Sequence, residues 1–557
     1  MPLVPEIVER HWIPDGQDTS TSPEVLQADA KTEEIVETQS GSEADQDFLQ
    51  RQYELAQLDR SSRLRWEMIK KLTVCGVAFL NDAYDMFAIN IVAMMLGFVY
   101  YNDATGSAKN TVPKEWDTLI KIAVQVGCLM GQLLLGRLGD KVGRTTVYAA
   151  SLMIAIFTTI ASAFSNSMVK GINVFVVLFI WRVLLGFGIG GDYPLTATIV
   201  SEYASVHNRG KLMSAVFAFQ GFGNVMAPIV SLIVIACFKN SIDSDVLYLD
   251  YVWRIIIGVG CIPGVCTLYW RLCMTDSDRF RHLEQANTDA ASVQSSRSER
   301  EKILTAGPEN DIDSTSAAPG QAHIRQPKSF SQYFGEWKHL KVLLGTSIAW
   351  FSLDVAFYGI NLNSSIVISA IGFSGNIATD NPSSFIIRNC LGNIIINLLG
   401  SVPGYWISVF TIERFGRKRI QLMGFAVLTV LYLVLGFAYH QILAKSTGAF
   451  IFLFSVAQLF QNFGPNVTTF VIPGEVFPTR FRATAHGISA ASGKLGAIVA
   501  QGGFLQLTNI GGKSAFIDHL LQIFALFMLI GFFATFWVPE SKGKTLEEIC
   551  DPDEEYT

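Results

Sequence analysis

Long apolar runs alternate with short polar loops along most of the chain. A helix that crosses the hydrocarbon core of a bilayer needs about 20 predominantly apolar residues, and twelve runs meet this requirement. They lie at residues 72–100, 118–138, 146–166, 173–203, 211–238, 252–273, 341–363, 386–411, 418–440, 447–471, 484–508 and 515–538. The pattern predicts an all-α membrane protein with twelve transmembrane helices, six on each side of a polar segment.

The composition agrees with a membrane protein. Only 16% of the 557 residues are charged, whereas a soluble domain carries about 25%. No basic cluster indicates nucleic-acid binding. The eight cysteines show no paired or metal-binding spacing, so we expect no disulfide, no metal site and no cofactor. The polar start of the chain lacks the apolar core of a cleavable signal peptide.

Lysine and arginine in the short loops predict the orientation of the helices. The loops around Arg144, Arg209, Arg417 and Arg482 are richer in these residues than the opposite loops, which places them, both termini and the central polar segment in the cytosol. The predicted parts are a disordered cytosolic tail at 1–65, a six-helix bundle at 66–273, a cytosolic linker at 274–340, a second six-helix bundle at 341–538 and a cytosolic tail at 539–557.

The two predicted bundles repeat the same charged loop motifs. GRLGDKVGRTT follows the second apolar run and TIERFGRKR the eighth, and after the fourth and tenth runs a glutamate precedes an arginine by seven residues. We expect these residues to form a charge latch that holds the cytosolic side closed: Asp140, Arg144, Glu202, Arg209, Glu413, Arg417, Glu475 and Arg482. A duplicated six-helix unit with its substrate between the halves is typical of alternating-access transporters.

Charged residues inside apolar runs need an explanation, because a charge there costs about 2.5–3.5 kcal/mol on insertion scales and normally faces the bundle interior; five of them are candidate site residues. They are Asp82, Asp85, Asp192, Asp354 and Lys494. Two aromatic rings, Trp350 and Tyr358, lie one turn before and after Asp354 on the same helical face. Asp82 and Asp85 are three residues apart, so we expect one of them to hold a proton.

The residues alone leave structural alternatives open. Asp192 can belong to an ion pair with Arg182 on its own helix, although ten residues separate the two. Lys494 can form a purely structural pair with Asp354, and one carboxylate of the first helix, Asp82, can be a cap. The rings around Asp354 can pack as core, and mid-membrane amides often join helices.

Several motifs resemble a known family. GRLGDKVGR resembles the loop motif of the major facilitator superfamily, and PGEVFPTRFRATAHG and PESKGKTLEEI resemble its sugar-porter-like members. GGDYPLTATIVSEYA, LDVAFYGINLNSS and SGKLGAIVAQ are similar to the proton-coupled phosphate symporters of fungi and plants, with Thr196 where that family usually has serine. The resemblance covers nearly all of residues 66–545 and implies a plasma-membrane transporter, not an enzyme, that imports inorganic phosphate with protons.

The resemblance also implies roles for individual residues. The positions that surround phosphate in the family match Tyr193, Gln220, Trp350, Asp354, Tyr358, Asn466 and Lys494, with Asn462 as a second choice beside Asn466. The proton-carrying carboxylates match Asp192 with Asp82 or Asp85, and we add the hypothesis that Asp354 carries a proton as well. On this hypothesis Asp354 is protonated when it meets phosphate, and pairs with Lys494 after it loses the proton.

Other functions compete with phosphate import. A proton symporter for sugars or polyols shares several of these motifs, and a glycerophosphodiester transporter differs by little in sequence. A nutrient sensor is a second class, although only about twenty residues follow the last apolar run. An intramembrane aspartyl protease is a third, but GIGGD is not its GxGD motif and such an enzyme has no use for the repeat.

Overall fold

The computed structural model describes residues 66–102, 109–166, 173–277, 281, 328–375, 377, 380–508, 510 and 516–550. The predicted tail at 1–65, most of the predicted linker and the last seven residues lie outside this set. Every regular element among the described residues is helical, so the all-α prediction is confirmed. All of the described residues belong to one unit, Ser62–Thr557.

Six long helices make up the first half, and the sixth has a short irregularity at Gly260. They are α1 (Trp66–Tyr100), α2 (Lys114–Val142), α3 (Arg144–Ala163), α4 (Val174–Tyr203), α5 (Arg209–Ser244) and α6, in the two pieces Leu249–Val259 and Cys261–Leu272. A single 3-10 turn, Val246–Tyr248, leads from α5 into α6. The apolar faces of these helices pack together in one continuous core.

The second half repeats this plan. Its helices are α7 (Trp337–Asn361), α8 (Pro382–Ile396, a π turn at Asn397–Ser401, then Val402–Phe415), α9 (Arg417–Phe437), α10 (Thr447–Asn462 and Pro465–Val476), α11 (Arg482–Leu507) and α12 (Ile517–Thr535). Four short helices accompany them at Phe330–Gly335, Ser364–Ala370, Tyr439–Lys445 and Leu546–Ile549. The helix predicted from 341 therefore begins earlier, at Trp337, within the range that the sequence assigned to the linker.

Ten helices in the described part of the chain are long and apolar enough to cross a membrane, whereas the sequence predicted twelve spans. Both remaining spans are helical. The one at 447–471 is interrupted at Phe463 and Gly464, because Pro465 cannot donate a helical hydrogen bond and starts a new helix. The one at 484–508 lies within a continuous 26-residue helix, α11, which carries Lys494 and many small residues instead of large apolar ones.

The internal repeat extends to helix packing and backbone conformation. In the first half α1 packs on α5 and α2 on α4; in the second, α7 packs on α11 and α8 on α10. Across the halves, α2 packs against α11 and α5 against α8. Gly143 joins α2 to α3 with φ of 113°, and Gly416 joins α8 to α9 with φ of 92°. Both positions need glycine, because a side chain is strained at positive φ.

Candidate functional site

The ammonium group of Lys494 lies at the centre of the protein, where α11 meets α7. Its Nζ atom is 3.0 Å from Oδ2 of Asp354 and donates a 2.8 Å hydrogen bond to the hydroxyl of Tyr358. Only 1% of the lysine side chain and 2% of the aspartate side chain are exposed. The predicted pairing of Lys494 with Asp354 is therefore present, and both charges are shielded from solvent.

Aromatic rings from both halves surround this pair. The Nζ atom of Lys494 lies 4.2 Å from the ring centroid of Tyr358 and 5.1 Å from that of Tyr193, distances typical of cation–π contacts. The rings of Tyr193 and Trp350 are 6.5 Å apart. Gly493 makes this approach possible, since a Cβ atom there would lie 2.5 Å from Cδ1 of Trp350.

A chain of hydrogen bonds brings the predicted amides to the same site. Asn466 on α10 donates to the hydroxyl of Tyr405 at 2.7 Å, and that hydroxyl donates to Oε1 of Gln220 at 3.1 Å. Asn466 also donates to Oδ1 of Asn462 at 2.7 Å. Tyr405 thus joins an amide of the first half to an amide of the second. Tyr405 was not predicted from the sequence, because a tyrosine in an apolar run usually contributes to packing.

Three phenylalanines of both halves form a cluster, which we call the phenylalanine seal; along α5 and α10 it lies between the predicted site amides and the latch residues. The rings of Phe217 and Phe470 stack with centroids 4.5 Å apart, and Phe79 meets each of them edge-on at 5.2 Å. Phe79 also contacts Tyr193 at 5.2 Å. These rings come from α1, α5 and α10, so the seal is made by both halves. The chain has 39 phenylalanines, and nothing in the sequence pattern distinguishes these three from the others.

Asp192 forms a buried ion pair that the sequence did not predict. Its Oδ2 atom lies 2.5 Å from Nη2 of Arg271, and Ser151 donates to its Oδ1 atom at 2.6 Å. The guanidinium of Arg271 lies 3.3 Å from the ring centroid of Tyr148. Asp192 therefore has an arginine partner, but from α6 rather than Arg182 of its own helix. Arg271 stands at the end of the sixth apolar run, where an arginine resembles an ordinary flanking residue.

The two carboxylates of α1 have different surroundings. Asp85 accepts hydrogen bonds of 3.2 Å from Asn81 and from Thr159, and Arg182 donates to its backbone carbonyl at 3.1 Å. Asp82 is 3% exposed, and its Oδ2 atom has no hydrogen-bond partner among the described residues. It lies within electrostatic reach of Asp192 and of the arginine that pairs with it.

The predicted latch residues meet on one side of the molecule, which we call the latch side. Glu202 forms an ion pair with Arg144 of its own half and lies 3.4 Å from Arg482 of the other half. Asp140 accepts hydrogen bonds from the backbone and side chain of Thr484, both at 2.7 Å. These contacts join α2 and α4 to the start of α11.

The second half supplies a matching set of contacts. Arg417 pairs with Glu413 at 2.6 Å and with Glu475 at 2.9 Å. The backbone N–H of Lys211 donates to Glu413 at 3.1 Å, which links the halves again. Arg209 donates to the carbonyl of Lys544 at 3.3 Å. All eight predicted latch residues are thus close to the junction of the halves on this side.

The segment 540–550 belongs to the latch side as well. Glu540 accepts from the backbone N–H groups of Arg417 and Lys418 at 3.0 and 3.1 Å, and so caps the start of α9. Ser541 donates to Glu475 at 2.6 Å. An equivalent pair follows α6: Asp276 accepts from the N–H of Thr145 on α3 at 2.9 Å, and its neighbour Ser277 donates to Glu202 at 2.5 Å. The repeated letters D-S and E-S after α6 and α12 were the signal for this pair, which sequence reasoning missed.

Two matched six-helix halves, with buried charges and hydrogen-bonding groups held between them, define a membrane transport protein. Comparison with known proteins gives the family. The sequence matches the family described as "Sugar (and other) transporter" over residues 72–551, and the chain belongs to that family.

Similar proteins include "Inorganic phosphate transporter PHO84" of Saccharomyces cerevisiae, which is 41% identical over 508 residues, 87% of this chain and 84% of that protein. "Repressible high-affinity phosphate permease" of Neurospora crassa is 39% identical, over 90% of this chain and 89% of its own length. "Inorganic phosphate transporter 1-6" of Oryza sativa is 38% identical, over 90% and 95%. These findings confirm the family relationship that the motifs predicted.

Among solved structures, the fold is similar to that of the proton:xylose symporter XylE, a major facilitator superfamily protein, bound to 6-bromo-6-deoxy-D-glucose. The TM-score is 0.63 at 20% identity, and the match covers 86% of this chain and 98% of that one. A partially occluded inward-open conformation of the same transporter from E. coli matches with a TM-score of 0.58. At this level of identity the comparison confirms the major facilitator fold and carries nothing about substrate.

Proposed function

We propose that the protein is a proton-coupled symporter that imports inorganic phosphate by alternating access. The observation that carries the proposal is the buried pair of Lys494 and Asp354, enclosed by the tyrosines of both halves. The printed names of the relatives in yeast, Neurospora and rice support phosphate as the substrate.

Phosphate at near-neutral pH is an anion that needs hydrogen-bond donors. Lys494 and the hydroxyls of Tyr193 and Tyr358 supply donors next to one another, and Gln220 and Asn466 add amides from the two halves. In the structure the carboxylate of Asp354 forms an ion pair with the ammonium group of Lys494, with Oδ2 and Nζ 3.0 Å apart. An anion competes for Lys494 once Asp354 is protonated, because the neutral acid then donates to phosphate and no longer repels it.

This competition couples phosphate to protons. An anion that enters a negative-inside cell opposes the membrane potential by about 2.3 kcal/mol per charge per 100 mV, so uptake requires a co-transported cation. Protons reach Asp354 from outside and leave toward the cytosol, where the ionised carboxylate returns to Lys494 and expels the ligand. Asp192, with Asp82 or Asp85, provides a second proton route, and its acceptor is the Oδ2 atom of Asp82, which has no hydrogen-bond partner among the described residues.

The latch side faces the cytosol in this proposal, with both termini there and the protein in the plasma membrane. The positive charges of the short loops, including Arg144, Arg209 and Arg417, support this orientation. Opening toward the cytosol requires that Glu202 separate from Arg482 and that the phenylalanine seal part.

The test is uptake of radiolabelled phosphate into proteoliposomes, with and without an inward proton gradient. We expect gradient-driven uptake by the wild type and its loss in Asp354→Asn, because asparagine can neither carry a proton nor release Lys494 in response to one. Asp380→Asn is the matched control, since Asp380 forms an exposed pair with Arg388 at 3.1 Å outside the site.

Three results would contradict the proposal. Full gradient-driven uptake by Asp354→Asn would remove this carboxylate from the coupling. Equal uptake with and without the gradient would remove proton coupling altogether. Wild-type protein that takes up a sugar or a glycerophosphodiester, but no phosphate, would assign another substrate to the same fold.

A further inference from the structure

A polar cavity lies next to the central site, on the side away from the latch. The empty space around its lining residues is ≈ 420 Å³, part of which is open solvent. Its polar lining consists of one serine, Ser364, and six amide side chains contributed by helices of both halves: Asn90, Asn224, Asn361, Asn393, Asn397 and Gln458. No charged residue lies in this lining.

Each of three amides stands about one helical turn beyond a residue of the central site. Asn224 follows Gln220 by four residues on α5, Gln458 precedes Asn462 by four on α10, and Asn361 follows Tyr358 by three on α7. At a rise of about 1.5 Å per residue these steps are roughly 5–6 Å. The cavity is therefore the next layer of the same interface between the halves.

One ring divides the cavity from the central site. Phe87 of α1 lines the cavity and stacks on Tyr358 with centroids 5.9 Å apart and planes 10° from parallel. Tyr358 in turn accepts the hydrogen bond from Lys494. A ligand in the cavity is thus one aromatic side chain away from the buried ammonium group.

Three amide oxygens of the cavity are buried without a partner. Oδ1 of Asn90, Oδ1 of Asn224 and Oε1 of Gln458 accept no hydrogen bond from any residue in the described ranges. The three side chains are 4%, 6% and 2% exposed. A buried acceptor left unpaired costs about 1–3 kcal/mol, so three of them in one cavity favour the binding of a molecule that donates hydrogen bonds.

Some of the donors that line this cavity are already in use, although each primary amide has two N–H groups. Gln458 donates through Nε2 to Asn361 at 2.9 Å, and Asn90 donates through Nδ2 to Ser364 at 2.7 Å. Asn361 donates to the carbonyl of Phe357 at 2.8 Å. The cavity therefore offers free acceptors, the remaining amide N–H groups as donors, and no fixed charge. Of the two forms of phosphate near neutral pH, the dihydrogen monoanion has two hydroxyl groups to donate and the lower charge to desolvate.

We propose that this amide cavity is a waiting site for dihydrogen phosphate on its way from outside to Lys494. The inference rests on the proposed function. A neutral site suits this task, because a ligand in transit must bind well enough to enter and weakly enough to leave. Rocking of the halves then passes the ion beyond Phe87 to the central site.

Gln458→Leu and Gln461→Leu form a matched pair of test variants. Both glutamines lie on α10, but Gln461 donates to Tyr432 at 3.3 Å and does not line the cavity. The measurements are initial rates of proton-driven phosphate uptake into proteoliposomes over a range of phosphate concentrations, and equilibrium binding of radiolabelled phosphate to the same purified protein.

We expect Gln458→Leu to lower kcat/KM about fivefold, which corresponds to one hydrogen bond of ~1 kcal/mol. Its kcat at saturating phosphate and its equilibrium binding should stay close to wild type, because the waiting site affects entry and not the central site. Gln461→Leu should resemble wild type in all three quantities. Retained binding also shows that the variant is folded. Asn224→Leu, on the other half, should reproduce the effect of Gln458→Leu.

The outcomes separate the two proposals. Unchanged kcat/KM in both Gln458→Leu and Asn224→Leu, with phosphate transport by wild type intact, would overturn the waiting site alone. An equal loss in Gln461→Leu would overturn it too, because the effect would then follow from the loss of any amide on α10. Wild-type protein without phosphate uptake or binding would overturn the proposed function and this inference with it.

Discussion

The ion pair between Asp192 and Arg271 allows a quantitative test of how the first half is built. Its atoms are 2.5 Å apart, and the two side chains are 4% and 0% exposed. Removing one partner leaves the other charge buried and uncompensated, which typically costs about 3–5 kcal/mol of folding stability. Removing both partners leaves no uncompensated charge.

We therefore expect Asp192→Asn and Arg271→Met each to destabilise the protein by about 3–5 kcal/mol. The double variant should lose much less than the sum, with a remainder of ~1 kcal/mol from the lost cation–π contact of Arg271 with Tyr148. The coupling energy, which is the sum of the two single losses minus the loss in the double variant, should then be about 5–9 kcal/mol, a factor of more than about 1,000 in the unfolding equilibrium.

The assay is chemical denaturation in detergent micelles of wild type, both single variants and the double variant. Asp380→Asn is the control, because Asp380 and Arg388 form a pair that is 31% and 52% exposed and should be worth less than about 1 kcal/mol. Additive losses in the double variant would refute the reasoning, since they would mean that neither charge depends on the other.

Three further predictions concern the junction of the halves. Tyr405→Phe removes the hydroxyl that joins two site amides and should weaken phosphate binding about tenfold, whereas Tyr432→Phe, away from the site, should not; equal binding in the two variants would contradict this. Glu202→Gln removes the carboxylate that the latch arginines share, so a cysteine introduced at Thr484 should react faster with an impermeant thiol reagent from the latch side than the same cysteine with Glu202 intact. Gly143→Ala should cost about 1–3 kcal/mol in thermal or chemical unfolding, because alanine is strained at φ of 113°, and an unchanged stability would contradict this.

Much of the fold follows from local sequence. An apolar run of membrane length forms a helix because every backbone polar group must be satisfied internally in hydrocarbon, and the length of the run sets the length of the helix. Runs broken by Pro465 or diluted by small residues, as around Lys494, have a weaker apolar signal. The first is interrupted in the structure, whereas the second is a continuous helix.

The residues of the site were predictable only where the sequence pattern that identifies them lies on a single helix. Asp354 with Trp350 and Tyr358 is a pattern of one helical face, and a lysine deep in an apolar run needs an acid. Arg271 and Tyr405 gave no such signal, because their partners lie on other helices far away in sequence. The amide cavity was still less predictable. Single asparagines on separate helices are expected to form interhelical contacts, and only the packing of the halves brings them together.

The contacts of segment 540–550 have a practical consequence for work on the protein. Glu540 and Ser541 hold the start of α9 and the carboxylate of Glu475, and the thiol of Cys550 donates to the carbonyl of Val476 at 3.3 Å. A purification tag or fluorescent domain fused near Cys550 is therefore attached to a segment that contacts the latch side, and we expect it to alter how readily that side opens. A flexible spacer after the segment separates the added domain from these contacts, whereas truncation before Glu540 removes the contacts themselves.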